Sequence, residues 1–271
     1  MTERRLSAAP ATPVAAGGPA LLLIAHGSRD PRHAAAVAAL VPLLHRLRPH
    51  LDVATAYLDH CAPRIPQVVE RLDGAAIAVP LLLNRAFHAK HDIPAALRTV
   101  GADLPLADVL GPSPLLLAAL DRRLAEAAPE LASPAARART GVVLAAAGSS
   151  DPAADAVTRA VAAEWRRTRG WAAVEVAYAS AGGPRVPDAV AALRRAPAVE
   201  RVAVSPYLLA PGLLPDRIAQ AATEAAADVL ADVLAPTPEL ARLLLTRYDE
   251  ARAAAGITIR TPTRTPRALT A

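Results

Sequence analysis

Short apolar runs alternate along this chain with longer stretches in which apolar residues recur every three or four positions. In the first half the runs are Ala20–Ala25, Val53–Leu58, Ala75–Leu83 and Leu104–Val109. Continuous apolar runs of this kind suit strands buried on both faces of a parallel sheet. The intervening stretches, Pro31–Leu47, Arg64–Leu72, Asp92–Val100 and Pro114–Ala127, have the spacing of amphipathic helices. Strands alternating with helices require right-handed crossovers and a parallel sheet.

The pattern then repeats. "LLIAHGSRDP" (Leu22–Pro31) aligns with "VLAAAGSSDP" (Val143–Pro152), and "AYLDHCAPRIPQVV" (Ala56–Val69) with "AYASAGGPRVPDAV" (Ala177–Val190), both displaced by 121 positions. "DVLGPSPLLLAAL" (Asp108–Leu120) aligns with "DVLAPTPELARLL" (Asp232–Leu244), displaced by 124. Ordered matches at a nearly constant displacement mark two copies of one unit. The expected fold is α/β: two tandem copies of a small four-stranded parallel-sheet sandwich, with a cleft between them. The units are expected at 19–128 and 141–256, joined by a Pro/Ala/Arg linker at 129–140. Residues 1–18 and 257–271, rich in Pro, Ala, Thr and Arg, read as a disordered lead and tail.

Composition narrows the partners. Aromatic residues are only 3% of the chain, so Leu, Val, Ile and Ala must build the core. The net charge of +5 favours a polyanion. Neither aromatic platforms nor clustered basic runs are present, which ranks nucleic acid below a small polyanionic molecule. The apolar run at Ala20–Ala25 is too short to span a bilayer, and Pro10, Pro13 and Pro19 interrupt any leader-like region. Neither a membrane nor a nucleic acid is an expected partner. The single cysteine, Cys61, excludes an intrachain disulfide and a cysteine-based zinc cluster, and fits a reducing, cytoplasmic setting.

In open α/β sheets ligands bind beyond the carboxyl ends of the strands. His26 ends the first run and opens the turn "HGSRDP", where Gly27 permits a tight turn and Ser28 or Asp30 can cap a helix begun by Pro31. The second copy keeps Gly148, Ser149, Asp151 and Pro152 but has Ala147 in place of His26, so the turn does not require the imidazole. All seven histidines lie between residues 26 and 91, which assigns any single imidazole site to the first copy. His33, His45 and His50 suit polar helix faces. His88 follows the third run, and Asp59 follows the second. Two imidazoles and a carboxylate on one rim form a usable site for a borderline divalent ion. The same histidines also suit a structural role, and Asp59 also suits a turn. Asp92-Ile93-Pro94 reads as a helix start capped by Asp92. Lys90, just upstream, is placed either to hold a substrate carboxylate or to face solvent. His91 is open between ligand, supporting group and solvent-facing residue.

"HGSRDP" after the first strand, an acid after the second, "HAKHDIP" (His88–Pro94) after the third, and the duplication together resemble the sirohydrochlorin chelatase family, in its long two-unit form. The resemblance covers Leu21 to Tyr248. It implies a chelatase-like fold and ATP-independent insertion of Fe²⁺ or Co²⁺ into sirohydrochlorin, a lyase reaction serving siroheme or cobalamin synthesis. It implies catalysis at His26 and His88, with Asp59, where the family often has glutamate, as the third metal-binding residue. Sirohydrochlorin is a polycarboxylate, and Arg29, Arg64, Arg85 and Lys90 are candidates to hold it. No permanently bound cofactor is implied, because the metal ion is a substrate. With a pseudo-dimer inside one chain, a monomer is expected. A non-catalytic metal or tetrapyrrole carrier is the alternative. A hydrolase or phosphate binder ranks last, since the chain has no Walker loop, GxGxxG or GxSxG motif.

Overall fold

The computed structural model describes residues 18–72, 75–84, 92–149 and 151–257. Its first half runs β1 (Ala20–Ala25), α1 (Pro31–Ala38), α2 (Leu40–Leu47), β2 (Val53–Tyr57), α3 (Ile65–Val69), β3 (Ala76–Pro80), α4 (Ile93–Thr99) and α5 (Pro114–Ala127). A 3-10 turn (Pro129–Ala132) and the one-turn α6 (Pro134–Arg137) lead into the second half. There follow β4 (Thr140–Ala146), α7 (Pro152–Arg169), β5 (Ala173–Tyr178), α8 (Val186–Arg194), β6 (Arg201–Pro206), α9 (Leu213–Glu224), β7 (Val229–Leu230) and α10 (Pro238–Ala254). None of these helices is long and apolar enough to cross a membrane.

Each half forms a parallel sheet with its first strand in the middle. The orders are β2-β1-β3 and β5-β4-β6-β7. The central strands are buried on both faces, as their unbroken apolar runs require, and Leu21 to Ile24 are wholly inaccessible. The period of two sorts their side chains. Leu22 and Ile24 point into an outer core with Ile65 of α3 and Ile93 and Leu97 of α4, and Val143 and Ala145 into its counterpart with Val190 and Ile218. Leu21 and Leu23 of one sheet and Val142 and Leu144 of the other share a third, inner core, with Leu40, Leu120, Trp165, Leu244 and Tyr248. The two sheets are thus joined by a common apolar interior.

Three expectations are corrected. The first sheet has three strands, not four: Leu104–Val109 is reduced to one bridge, Ala78 with Leu106. Pro105 sits at this pairing, accepting from Ala78 N at 2.9 Å, and has no N–H to extend a ladder. The helix expected over Pro31–Leu47 breaks at Ala39. Pro42 cannot donate to the Ala38 carbonyl and its ring crowds that oxygen; Ala163 takes its place in the second copy, and α7 runs unbroken for 18 residues. Asp92 has helical dihedrals (φ −73°, ψ −46°), and its side chain makes no capping bond to α4. The segment between the halves carries the 3-10 turn and α6, with Leu131 wholly buried.

The halves exchange their last helices. α5, from the first half, lies against β6 and β7, whereas α10, from the second, lies against β3 and α2. The two helices also pack on each other, where Arg122 binds Glu239 through Nε (2.7 Å) and Nη2 (2.8 Å). Arg123 of α5 donates to the Val233 carbonyl at 2.7 Å, and Arg247 of α10 donates to the Val109 carbonyl at 2.8 Å. Both the arginines and their acceptors are 124 positions apart, so one contact is made twice in opposite senses. Nearby, the buried Asp121 of α5 accepts from Trp165 Nε1 at 2.8 Å and Trp171 Nε1 at 3.3 Å, with Arg169 at 3.4 Å and Arg137 at 3.8 Å.

Candidate metal and macrocycle site

The backbone pairing of β1 and β2 continues past the strands. Leu58 N donates to Ala25 O at 3.0 Å, and Asp59 N to His26 O at 2.8 Å, so the two rim residues are neighbours through their main chains. Gly27 makes this approach possible. Its φ is +91°, and a Cβ there would lie 1.8 Å from the Asp59 carbonyl oxygen. Beyond it, Ser28 Oγ accepts from Asp30 N (3.1 Å) and Asp30 Oδ1 from Arg32 N (2.9 Å), which sets the start of α1. Cys61 ties the two turns together: its Sγ accepts from Ser28 N at 3.3 Å and donates to Ser28 O at 2.9 Å.

His26 projects from this junction with Nδ1 3.1 Å from the Gly27 carbonyl. A ring that donates there carries its lone pair on Nε2. The His60 ring centroid is 6.3 Å away. Asp59 is half exposed. Its Oδ1 accepts from His60 N at 2.8 Å and from Arg64 Nη2 at 2.8 Å. The His60 amide and the Arg64 guanidinium hold this carboxyl below the usual carboxylate range. Arg64 also donates to the Leu58 carbonyl at 2.5 Å, so it fixes the Asp59 loop from both sides. Arg29 is exposed on the turn after β1. Arg85, His88, Lys90 and His91 lie outside the described residues. Among the described residues, no three His, Cys, Asp or Glu side chains converge closely enough to hold a metal ion.

The second copy reproduces the turn without its chemistry. Ser180 N donates to Ala147 O at 2.9 Å, and Gly148 (φ +92°) would place a Cβ 2.1 Å from the Ala181 carbonyl oxygen. Ala147 and Ser180 stand where His26 and Asp59 stand in the first.

The two turns face a common cleft of about 600 Å³. The first half contributes His26, His33 and Asn84 to its wall, and the second contributes Asp155, Tyr178 and Tyr207. A cavity of about 700 Å³ on the outer edge of the second sheet, between α7 and β5, contains no histidine. His33 is half-buried, not on a solvated face as its helix pattern suggests, and its Nδ1 is inaccessible and unpartnered. Burial, and then the charge of His26, lower its pKa, with a smaller opposing pull from Asp30. Sequence reasoning also passed over Asn84, Asp155, Tyr178 and Tyr207. The run of strands and helices carries no signal for which polar side chains turn into a space between two sheets.

Comparison with known proteins agrees with this layout. The CbiX family model matches residues 20–127 and again 141–251. The chain is 30% identical to a sirohydrochlorin ferrochelatase of Priestia megaterium over 211 residues, covering 74% of this chain and 77% of the relative. It is 27% identical to a sirohydrochlorin cobaltochelatase of the same organism over 213 residues, covering 74% and 67%. Among solved structures, SirB from Bacillus subtilis with Fe³⁺ superimposes with a TM-score of 0.72 at 22% identity, covering 90% of this chain and 100% of the other.

Proposed function

The chain belongs to the CbiX family, and on that premise we propose that it inserts a divalent metal ion, Fe²⁺ or Co²⁺, into sirohydrochlorin without ATP. The observation that carries this reading is the placing of His26 and Asp59. One strand-end junction places the His26 imidazole on the wall of a cleft between two sheets, with the ionised Asp59 carboxylate on the adjoining loop. The ferrochelatase and cobaltochelatase names of the two relatives support the reaction class.

Metal entry into a macrocycle removes water from the ion and two protons from pyrrole nitrogens. An imidazole nitrogen serves as a ligand for a borderline ion or as a proton acceptor near neutral pH. In this reading His26 receives the ion from solvent and presents it to the ring nitrogens. Asp59, kept ionised by Arg64 and the His60 amide, offsets the ion's charge at the rim. His88, which follows β3 in sequence, is the proposed second imidazole. The macrocycle's carboxylates take Arg29 and Arg64 from the described rim, and Arg85 and Lys90 from the segment after β3. The metal ion is a substrate, no resident cofactor is invoked, and a cytoplasmic monomer with two pseudo-equivalent halves is proposed.

The test is anaerobic mixing of the purified full chain with sirohydrochlorin and either Fe²⁺ or Co²⁺, followed by absorption. The wild type should exceed the metal-only rate, and His26→Ala should lose about 100-fold or more while retaining its far-UV dichroism. Binding of sirohydrochlorin without acceleration would leave only a carrier. A His26→Ala rate equal to wild type would remove His26 from the site.

A further inference from the structure

Two leucines at the start of α9 serve no core. Among the described residues, Leu213 and Leu214 belong to none of the three apolar clusters. Both line the cleft that His26 lines. Leu213 is 64% exposed, the highest value among the exposed large apolar side chains described. The helix pattern does not ask for an apolar residue there. The positions three, four and seven residues on, which share its face, are Asp216, Arg217 and Gln220, all exposed. The buried side of α9 is carried by Ile218 and Ala222. The helix start does not ask for it either. Aligning the helix-start prolines Pro94 and Pro215 sets Asp92 opposite Leu213, so the first half starts its helix from an acid.

A single exposed leucine on an open surface is ordinary. Leu213 instead borders a concave space walled by further partly exposed leucines, Leu82 and Leu83 from the first half and Leu208 and Leu209 from the second. Small-molecule sites are concave and mostly apolar, with a few polar groups that orient the ligand. The backbone just before Leu213 lies close to the His26 turn: a Cβ on Gly212 would be 3.9 Å from Ser28 Oγ. The acid one turn further along α9 is already engaged. Arg32 of the first half donates to Asp216 Oδ1 at 3.1 Å and Oδ2 at 2.6 Å, which offsets its charge toward an anionic ligand. Resting on the chelatase reading, we propose that Leu213, with Leu214 beside it, is the platform against which one apolar face of the sirohydrochlorin ring lies. The peripheral carboxylates gain nothing from leucine and stay with the arginines and water of the rim. The ring face loses water against side chains that are accessible before it arrives. On this division of labour the half with histidines handles the ion, and the half without them holds the macrocycle.

The experiment compares wild type with Leu213→Ser, Leu213→Gln and Leu213→Met in the full chain. Titration of metal-free sirohydrochlorin by absorbance, turnover with Co²⁺, Co²⁺ binding without macrocycle, the urea midpoint and the sedimentation coefficient are each measured. Covering the exposed part of a leucine corresponds to about tenfold in Kd. We expect Leu213→Ser and Leu213→Gln to weaken sirohydrochlorin binding about tenfold and to raise KM in step, with kcat and Co²⁺ affinity within about twofold of wild type. Leu213→Met should recover most of the loss, and the urea midpoints should not move, because the side chain supports no core. Wild-type sirohydrochlorin affinity in both polar variants would overturn the proposal. If the polar variants dissociate a wild-type dimer and leave that affinity unchanged, the leucine belongs to an interface between copies, which also overturns it. Sirohydrochlorin binding by the wild type without faster metal entry would end the chelatase reading, and the platform would stand on the loss of affinity in the polar variants. A wild type that does not bind sirohydrochlorin would end both.

Discussion

Replacing Gly27 by alanine tests the junction that brings His26 and Asp59 together. The added Cβ would sit 1.8 Å from the Asp59 carbonyl oxygen, whereas ordinary contact begins at 3.4 Å. The oxygen must therefore retreat by about 1.6 Å to reach van der Waals separation. A shift of that size breaks the 2.8 Å bond from Asp59 N to His26 O. That loss costs about 1 kcal/mol. Holding a non-glycine residue at a left-handed φ adds about 1–2 kcal/mol. The sum is about 2–3 kcal/mol, in the upper part of the range for ordinary single substitutions. Gly101→Ala is the matched control: its φ is +63° and a Cβ there meets nothing within 4 Å, so only the conformational term remains. Urea unfolding followed through Trp165 and Trp171, both buried, would compare the two. Gly27→Ala should unfold at a clearly lower urea concentration than Gly101→Ala with an unchanged m value, and its turnover should fall further than its stability explains. Equal midpoints would refute the close approach as the reason for glycine.

Two other outcomes follow from buried groups. His33 has a lowered pKa in the folded state, so the unfolded chain binds its proton more readily and stability rises with pH across the interval. Its contribution should be intact above pH 6.5 and lost as the pH falls below 6.5 through the lower folded value; thermal melts from pH 5 to 7.5 should show a shallower slope in His33→Asn. Asp121→Ala leaves two indole N–H groups and two arginines without their shared acceptor, and should lower the unfolding free energy by about 3–5 kcal/mol in the same urea assay. A loss below about 1 kcal/mol would mean that the cluster repacks around the gap.

Much of this arrangement was legible in the residues. The unbroken apolar runs located the central strands, and the aligned "HGSRDP" and "AGSSDP" turns announced the equivalent rims. The absence of imidazoles from the second copy made the asymmetry plain. Other features depend on geometry that spacing does not encode. Proline at 42 split a helix whose apolar periodicity is continuous, and proline at 105 left an apolar run with one bridge. Arg64, expected as a substrate contact, also has a local task that spacing did not reveal, since its guanidinium bonds both Asp59 and the Leu58 carbonyl. Asp155 was invisible because an acid in the first turn of a helix already has an adequate explanation in the helix dipole.

The traded helices α5 and α10 bear on how wide the cleft can be. Neither half owns a finished interior, because each depends on an arm lent by the other. Prising the rims apart would peel α5 from β6 and α10 from β3 in one motion, and would break the Arg123 and Arg247 anchors together. The aperture is therefore set when the chain folds rather than adjusted at each encounter. On the proposed chelatase reading a flat ring would meet a slot of fixed gauge, and accommodation would fall to side chains and rim loops, which would make the gauge itself a filter on what can enter.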